Sequence, residues 1–405
     1  MNKINRQLIA FLTLCLAGPV CLQAQIANLA TFNGANGQFP TAGLTLSQDG
    51  TTLYGTTYNG GANGRGEVFS IPVGGGTPTI LASFDGTSGS NPQTGLALSG
   101  GMLYGTTATG GANGDGVVFS LPITGGTPTV LTSFNGTNGR VPTAGLTLSG
   151  GILYGATLYG GSNDNGVVFS LPVTGGTAAV LTSFNGNNGL SPSTGKLVLS
   201  GSTLYGTTAD GGAGNYGVVF SLPVGGGTAT VLTSFNNADG WNPEGSLVLN
   251  GSTLYGVTAS GSFGGNGEVF SLGVGGGTPT VLASFNSANG RTPTGGLVLS
   301  EDGSTLYGET VYGGANDHGV VFSVPTGGGV LTDIAAFNVA NGDEPVGGLA
   351  LNGNTLYGVT TGGGANGDGV VFSVATPAPE PGCAGLLLLG SLAAMARRFR
   401  GRSIA

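Results

Sequence analysis

The chain has 405 residues, of which 85 are glycine and only 7% are charged. Its 39% hydrophobic residues are enough to build a core, so this composition indicates a turn-rich β protein rather than a disordered chain. Residues 25–376 carry four basic and seventeen acidic residues, a formal charge of −13. That balance makes nucleic acid an unsuitable partner, because a phosphate backbone must be neutralised by clustered cations.

The first 24 residues have the composition of a secretory signal peptide. Two basic residues come first, an apolar run extends from Leu8 to Val20, and small and polar residues surround Ala24. The pattern predicts cleavage after Ala24. Lipoprotein processing at Cys21 is a second interpretation, but Pro-Val precedes that cysteine where such processing requires a small residue.

From residue 25 to residue 376 the chain repeats a unit of about fifty residues seven times. Each unit contains Leu-Tyr-Gly and, fifteen residues after the tyrosine, the phenylalanine of Val-Phe-Ser. In the second unit, four apolar runs predict strands a (95–99), b (102–107), c (116–121) and d (127–134). Glycine-rich turns suited to hairpins join a to b and c to d. Four antiparallel strands per repeated unit predict a β-propeller blade, with the repeated tyrosine and phenylalanine in its core.

The number of strands favours a closed ring over an open stack. Seven strands of types a, b and c are present, but only six d strands follow a c strand, and the segment Leu29–Phe32 at the front matches the missing one. An open solenoid would leave unpaired edges at both ends. The sequence therefore predicts an all-β, seven-bladed β-propeller of four-stranded antiparallel blades, in which the N-terminal strand completes the last blade.

Residues 377–405 form a separate tail. The sequence Pro379-Glu380-Pro381 precedes an apolar run from Cys383 to Ala396, which as a helix would be about 21 Å long, shorter than the ~30 Å hydrocarbon core of a membrane. The arginines that follow would hold the end of this helix on the cytoplasmic side. We expect a short C-terminal helix outside the propeller that contacts the membrane transiently.

The tail resembles the PEP-CTERM sorting signal of Gram-negative bacteria that produce exopolysaccharide. The resemblance rests on Pro379, Glu380 and Pro381, the apolar run, and Arg397 and Arg398, in that order. It implies recognition by an exosortase and cleavage near Pro-Glu-Pro, with delivery to the cell surface or matrix; retention of the tail as an anchor stays open.

The repeats resemble the GloVer (Gloeo/Verruco) tandem-repeat proteins over residues 26–374. The motifs that carry this resemblance are Leu-Tyr-Gly-Thr-Thr, Gly-Gly-Ala-Asn-Gly-x-Gly-Val-Val-Phe-Ser-Leu and Leu-x-Ser-Phe. The resemblance implies a surface protein and supplies no catalytic residues.

The b–c loops are rich in asparagine, aspartate and glycine, which suggests Ca²⁺ as one ligand. The aspartates that recur at or near one position are Asp115, Asp164, Asp317 and Asp368. A calcium loop needs several carboxylates within about a dozen residues, and each of these loops has one or two, so we interpret them as turns and expect no cofactor. His318 is the only histidine, cannot build a zinc site of the usual kind, and is expected on the surface.

Two kinds of side chain are candidates for work on sugars. Glu67, Glu268 and Glu309 lie near strand ends, and a glycosidase would need two such carboxyls about 5–10 Å apart. Exposed aromatic rings can instead stack on sugars. The aromatic candidates on the polar face are Tyr58, Tyr159, Tyr216, Trp241, Phe263 and Tyr312, of which Trp241 is the strongest.

We therefore expect a secreted, monomeric, non-enzymatic protein of the surface or matrix of a Gram-negative bacterium. It would bind exopolysaccharide weakly and be handled by exosortase-type sorting machinery. The alternatives are a polysaccharide lyase or hydrolase on a propeller scaffold, and a purely structural surface protein without a ligand.

Overall fold

A computed structural model describes residues 23–192, 195–261 and 265–377. The predicted signal peptide, except for its last two residues, the sorting signal and the C-terminal helix lie outside the described residues. Within them, the strands form seven antiparallel sheets that make up a seven-bladed β-propeller, as predicted. No helix in the described ranges is long and apolar enough to span a membrane.

The strands of each blade are hydrogen-bonded in the order a, b, c, d, with strand a towards the axis of the ring. In chain order they are Thr45–Leu46, Thr52–Thr57, Glu67–Pro72 and Thr79–Ser83 in blade 1; Ala97–Ser99, Met102–Thr107, Val117–Pro122 and Thr129–Ser133 in blade 2; Thr147–Ser149, Ile152–Thr157, Val167–Pro172 and Ala179–Ser183 in blade 3; Leu190–Pro192 with Val198–Ser200, Thr203–Asp210, Val218–Pro223 and Thr230–Ser234 in blade 4; Trp241–Asn250, Thr253–Ser260, Glu268–Gly273 and Thr280–Ser284 in blade 5; Val298–Leu299, Thr305–Thr310, Val320–Pro325 and Thr332–Ala336 in blade 6; Asp343–Asn352, Thr355–Gly362 and Val370–Ala375 in blade 7.

The N-terminal strand closes the ring, as the strand count predicted. Ala27–Thr31 pairs antiparallel with Val370–Ala375 and is the outer strand of blade 7. The Asn366 amide also donates a 2.8 Å hydrogen bond to the Phe32 carbonyl, and the Phe32 ring is fully buried. Closure therefore uses backbone pairing, a loop amide and apolar packing together.

The repeated Tyr and Phe residues form the core, as predicted. All seven b-strand tyrosines are at most 9% exposed, and all seven c-strand phenylalanines are fully buried. Each of these phenylalanines makes an edge-to-face contact with the d-strand phenylalanine of the preceding blade, with ring centroids 4.9–5.2 Å apart. The Phe32–Phe69 pair is the one that joins the first blade to the last. The phenylalanine of Val-Phe-Ser thus packs each blade against the preceding one.

The glycine of Leu-Tyr-Gly is required by that same phenylalanine. A Cβ on Gly155 would lie 2.6 Å from the Phe169 ring, and the six sister glycines have the same environment at 2.5–2.7 Å. Such contacts are far below van der Waals separation, so the two motifs are coupled sterically. This explains why Leu-Tyr-Gly and Val-Phe-Ser always occur together.

Strand a differs most from the prediction. It has two or three residues in blades 1, 2, 3 and 6, because the predicted first residues belong to the preceding loop. In blades 5 and 7 it has ten residues, since Trp241 and Asp343 pair with Ser260 and Gly362. Most other blades make the equivalent pairing through an isolated bridge, such as Arg140 with Tyr159. The d–a and b–c loops are therefore bonded to each other.

Candidate functional site on the loop face

The d–a and b–c loops together form one face of the ring, which we call the loop face. Asparagine side chains hold much of it in place. In the d–a loop of blade 3, Asn135 and Asn138 accept hydrogen bonds from each other's backbone N–H groups at 3.2 and 3.0 Å. In the b–c loop of blade 2, the Asn113 amide donates to the Phe134 carbonyl at 2.7 Å. These contacts recur around the ring and agree with our interpretation of the loops as turns.

A ring of strained residues lies where each d–a loop meets the preceding blade. The residue before the repeated proline has φ between 54° and 58° in all seven blades, although none of these residues is glycine. They are Phe39, Asn91, Val141, Ser191, Asn242, Thr292 and Glu344. This conformation is unfavourable, above all for β-branched side chains. It is held by hydrogen bonds to the preceding b–c loop, for example from Val141 N to Asp115 O at 2.9 Å.

Those hydrogen bonds bring two variable residues together at each junction between blades. One precedes the strained residue and the other lies in the b–c loop of the preceding blade; we call them the junction pairs. The pairs are Asp368 with Gln38, Arg65 with Ser90, Asp115 with Arg140, Asn165 with Leu190, Tyr216 with Trp241, Asn266 with Arg291, and His318 with Asp343. An invariant scaffold therefore presents seven chemically different pairs on one face.

The pair between blades 4 and 5 is aromatic. Tyr216 and Trp241 meet edge to face with their ring centroids 6.2 Å apart, and Trp241 is 42% exposed. Both were predicted as ligand-binding residues, and the structure brings them together. An exposed indole fixed in place by a second ring is a surface on which a sugar can stack.

Tyr159 and Tyr312 occupy equivalent positions in blades 3 and 6, and each lies under an arginine. The Arg140 and Arg291 guanidinium carbons are 4.7 Å from the centroids of these rings. Asp164 binds Arg140 at 2.7 Å, and Asp317 binds Arg291 at 3.1 Å. Arginine therefore covers one face of each of these rings, although Tyr159 is still 37% exposed.

Contacts within the protein already occupy three of the four aspartates considered for Ca²⁺. Asp164 and Asp317 also accept hydrogen bonds from Gly160 N and Gly313 N in their own loops. The Asp164 pKa is lowered by its bond to Arg140, and the Asp317 pKa by its bond to the Gly313 N–H and then by Arg291. Asp368 accepts a 2.6 Å bond from Gln38. In the described parts of the chain, no three His, Cys, Asp or Glu side chains are grouped so that they could hold a metal.

The remaining aromatic candidates are dispersed. Tyr58 is half-buried and lies at a position equivalent to Val311, not to Tyr159. The Tyr312 hydroxyl donates to Glu344 at 3.1 Å, and burial followed by this bond raises the Tyr312 pKa. Phe263 lies outside the described residues. The five aromatics among the described residues therefore do not form one continuous platform.

His318, which we expected on the surface, is partly exposed and paired with a carboxylate. Its Nδ1 lies 2.7 Å from Asp343 Oδ1, and both side chains are about 30% exposed (29% and 30%). The reason is its place in a junction pair, where the neighbouring blade supplies a carboxylate. The other b–c loops lack histidine, so no sister loop predicts this contact.

The three glutamates considered for catalysis are closed off from solvent. Glu67, Glu268 and Glu309 are 1–2% exposed. Burial raises the pKa of Glu67, whose Oε1 accepts a 2.9 Å bond from Ser83 Oγ. Burial raises the pKa of Glu309 to about 8. None of the three offers a carboxylate that a polymer could reach.

Sequence reasoning did not identify the junction pairs as a set. They follow a simple rule: one member comes two residues before the repeated proline, and the other directly before the glycine that precedes strand c. That proline packs on that glycine across the junction, and a Cβ on the glycine would lie 2.5–2.7 Å from the proline Cδ. In the sequence, the only sign of these pairs is that a variable residue recurs beside each repeated proline and each repeated glycine.

The family model of the Gloeobacter/Verrucomicrobia repeat matches residues 21–201 and 149–372. No curated protein matches the chain significantly in sequence. Among solved structures, a puromycin-hydrolyzing peptidase from Mycobacterium tuberculosis is 12% identical with a TM-score of 0.51, over 84% of this chain and 53% of that one.

Two other solved structures that resemble the chain are TolB from Acinetobacter baumannii and a gluconolactonase from Xanthomonas campestris. TolB is 16% identical with a TM-score of 0.44, over 70% of this chain and 63% of that one. The gluconolactonase is 16% identical with a TM-score of 0.41, over 64% and 79%. At such identities the likeness concerns the fold alone, which hosts unrelated functions.

Proposed function

The chain belongs to the Gloeobacter/Verrucomicrobia repeat family, and we propose that it is a non-enzymatic protein that binds polysaccharide in the extracellular matrix through its loop face. The observation that carries the proposal is the Tyr216–Trp241 pair, an exposed indole held by a neighbouring ring. The burial of Glu67, Glu268 and Glu309 supports binding over hydrolysis, because a glycosidase needs carboxyls in contact with its substrate.

Retention of the chain on the producer's own immobilised exopolysaccharide tests this proposal. We expect Trp241→Ala to weaken retention by at least roughly fivefold, since truncating an aromatic residue that anchors an interface costs more than about 1 kcal/mol. Tyr159→Ala is the matched control, because that ring lies under Arg140 and should matter little. Equal retention of wild type and Trp241→Ala would contradict the proposed surface, and shortened polymer chains would favour a lyase or hydrolase.

We also propose that the protein is exported and sorted to the cell surface. The support is the order of basic, apolar and small residues before Ala24 and the Pro-Glu-Pro, apolar and arginine segments of the tail. Mass spectrometry of surface-delivered protein should then find an N-terminus near Gln25 and no peptide containing Arg402. An intact leader or tail on that material would contradict this proposal.

A further inference from the structure

One blade departs from the others at the axis of the ring. The residue before the leucine of strand a is glycine in five blades and Ser246 in blade 5, but it is Lys196 in blade 4. Four residues lead from Pro192 to Lys196, whereas three lead from the proline to the equivalent residue in every other blade. The only lysine among the described residues therefore lies next to an inserted residue in the chain.

Lys196 is held at the axis by its neighbours on both sides. Its backbone N–H donates a 2.8 Å bond to Ser246 Oγ in blade 5, and its Cβ is 3.4 Å from the position of a Cβ on Gly145 in blade 3. The side chain is exposed, and none of the ion pairs among the described residues includes its amine. The surrounding strands partly exclude water and lower the pKa of the amine.

The side chain borders two cavities that lie along the axis. The larger, of about 680 Å³, is lined by residues from all seven blades, and the smaller, of about 430 Å³, by residues in and next to strand a of blades 3, 4 and 5. The larger volume lies within the range of about 300–1,000 Å³ that is usual for small-molecule sites. Lys196 lines both cavities.

The larger cavity otherwise has the lining of a sugar site. Side-chain polar groups come from Gln93 and Thr294, and the axial glycines contribute backbone polar groups. Glu244 is the only other charged residue among those that line it, and the Asn242 amide holds its Oε1 at 2.9 Å. One cation, one carboxylate, one amide and one hydroxyl match a ligand with one negative charge and several hydroxyl groups.

We infer that the axial cavity binds a carboxylated monosaccharide, whose carboxylate pairs with the Lys196 amine and whose hydroxyls bond to Glu244, Gln93 and Thr294. A monoanion fits better than a phosphate, because one amine in a domain with a formal charge of −13 neutralises only one charge. The site is distinct from the aromatic junction pair on the loop face. Binding of a uronate here therefore does not depend on polysaccharide binding there.

Ligand-observed NMR on the full chain tests this site with glucuronate and galacturonate against their neutral parents, glucose and galactose. We expect both acids to bind more tightly than the neutral sugars, and Lys196→Gln to weaken acid binding at least about tenfold, the usual contribution of a charged hydrogen bond. Lys196→Arg keeps the cation and should retain most of the affinity. Arg65→Gln removes the same charge from the exposed loop face and should leave it unchanged.

Several results would overturn the inference. The first is the absence of uronate binding, and the second is equal binding of neutral and acidic sugars. The third is an equal loss of uronate affinity in Lys196→Gln and Arg65→Gln. The fourth is displacement of the uronates by an equimolar amount of inorganic phosphate. Thermal unfolding of each variant shows whether a loss of binding reflects a loss of the fold. Retention of uronate binding in Trp241→Ala separates this site from the loop-face surface.

Discussion

Glu309 is a buried carboxyl whose pKa departs far from its ordinary value. It lies in strand b of blade 6, is 1% exposed, and its Oε1 accepts a 2.8 Å bond from Gly348 N in blade 7. Its Oε2 has no hydrogen-bond partner. Burial accordingly raises its pKa from 4.5 to about 8. The sister positions hold uncharged residues, namely Thr56, Thr106, Ala156, Thr207, Val257 and Val359.

Because of this raised pKa, Glu309 makes a contribution to the free energy of unfolding that falls as the pH rises. Between the unfolded pKa of 4.5 and the folded value of about 8, the folded protein holds a proton that the unfolded chain releases. The contribution is therefore complete below pH 4.5 and is lost as the pH rises through about 8, at up to ~1.4 kcal/mol per pH unit. Gln at this position keeps the acceptor for Gly348 N and does not ionise, so we expect Glu309→Gln to flatten this dependence.

Urea unfolding at a series of pH values from 5 to 8 measures the effect. Asp302→Asn is the control, because hydrogen bonds from Ser300 and Ser304 lower the Asp302 pKa to about 2 and it stays ionised throughout this range. Its profile should run parallel to that of the wild type. A Glu309→Gln profile as steep as the wild-type profile would show that Glu309 does not titrate as described.

The blade is the element on which stability depends, and the coupling of its two motifs makes a prediction. In Gly155→Ala the new methyl group would lie 2.6 Å from the Phe169 ring, which is fixed by Phe134 of the preceding blade. We expect the free energy of unfolding to fall by about 1–3 kcal/mol, the usual cost of overpacking a core.

Gly225→Ala is the matched control for this substitution. Gly225 lies in a c–d turn with nothing within 4 Å of a Cβ, so the change should stay within about 0.5 kcal/mol. Urea unfolding measures both variants. Equal stability of the two would mean that the contact between blades tolerates a methyl group and that the glycine is not required for packing.

Strands b and c were predictable because their spacing is fixed by contacts inside one repeat. Strand b of blade 2 was predicted with its observed bounds, and strand c within one residue. Strand a was not, since its length depends on whether the d–a loop pairs continuously with strand b, as at Trp241, or through a single bridge. That choice depends on tertiary packing that the repeat pattern does not encode.

The candidate site was predictable only in part, for a related reason. Trp241 and Tyr216 were predicted because exposed rings suggest sugar binding, but their contact crosses a blade junction and needs the geometry of the closed ring. The pairing of His318 with Asp343 was missed for the same reason. In the sequence, Lys196 is marked only by the extra residue that follows Pro192. Its position at the axis could not be predicted, because the axis exists only when all seven blades are assembled.

At the scale of the whole molecule, charge is distributed unevenly over the ring. The c–d turns and outer strands of blades 1 to 5 contain no charged residue, within segments 72–84, 122–134, 172–184, 223–235 and 273–285. The junction pairs, by contrast, include Asp115, Asp343 and Asp368 together with three arginines and His318. Chemical variety is thus concentrated on the loop face, while the rim repeats the same uncharged sequence. A polymer that recognises this variety would contact the loop face rather than the rim.

Hydrogen exchange of the chain with and without the producer's exopolysaccharide shows which face of the ring the polymer covers. We predict slower exchange in the d–a and b–c loops, strongest around Tyr216 and Trp241, with no change in the c–d turns. Slower exchange confined to the c–d turns and outer strands, or none in the presence of retained polymer, would contradict binding through the loop face.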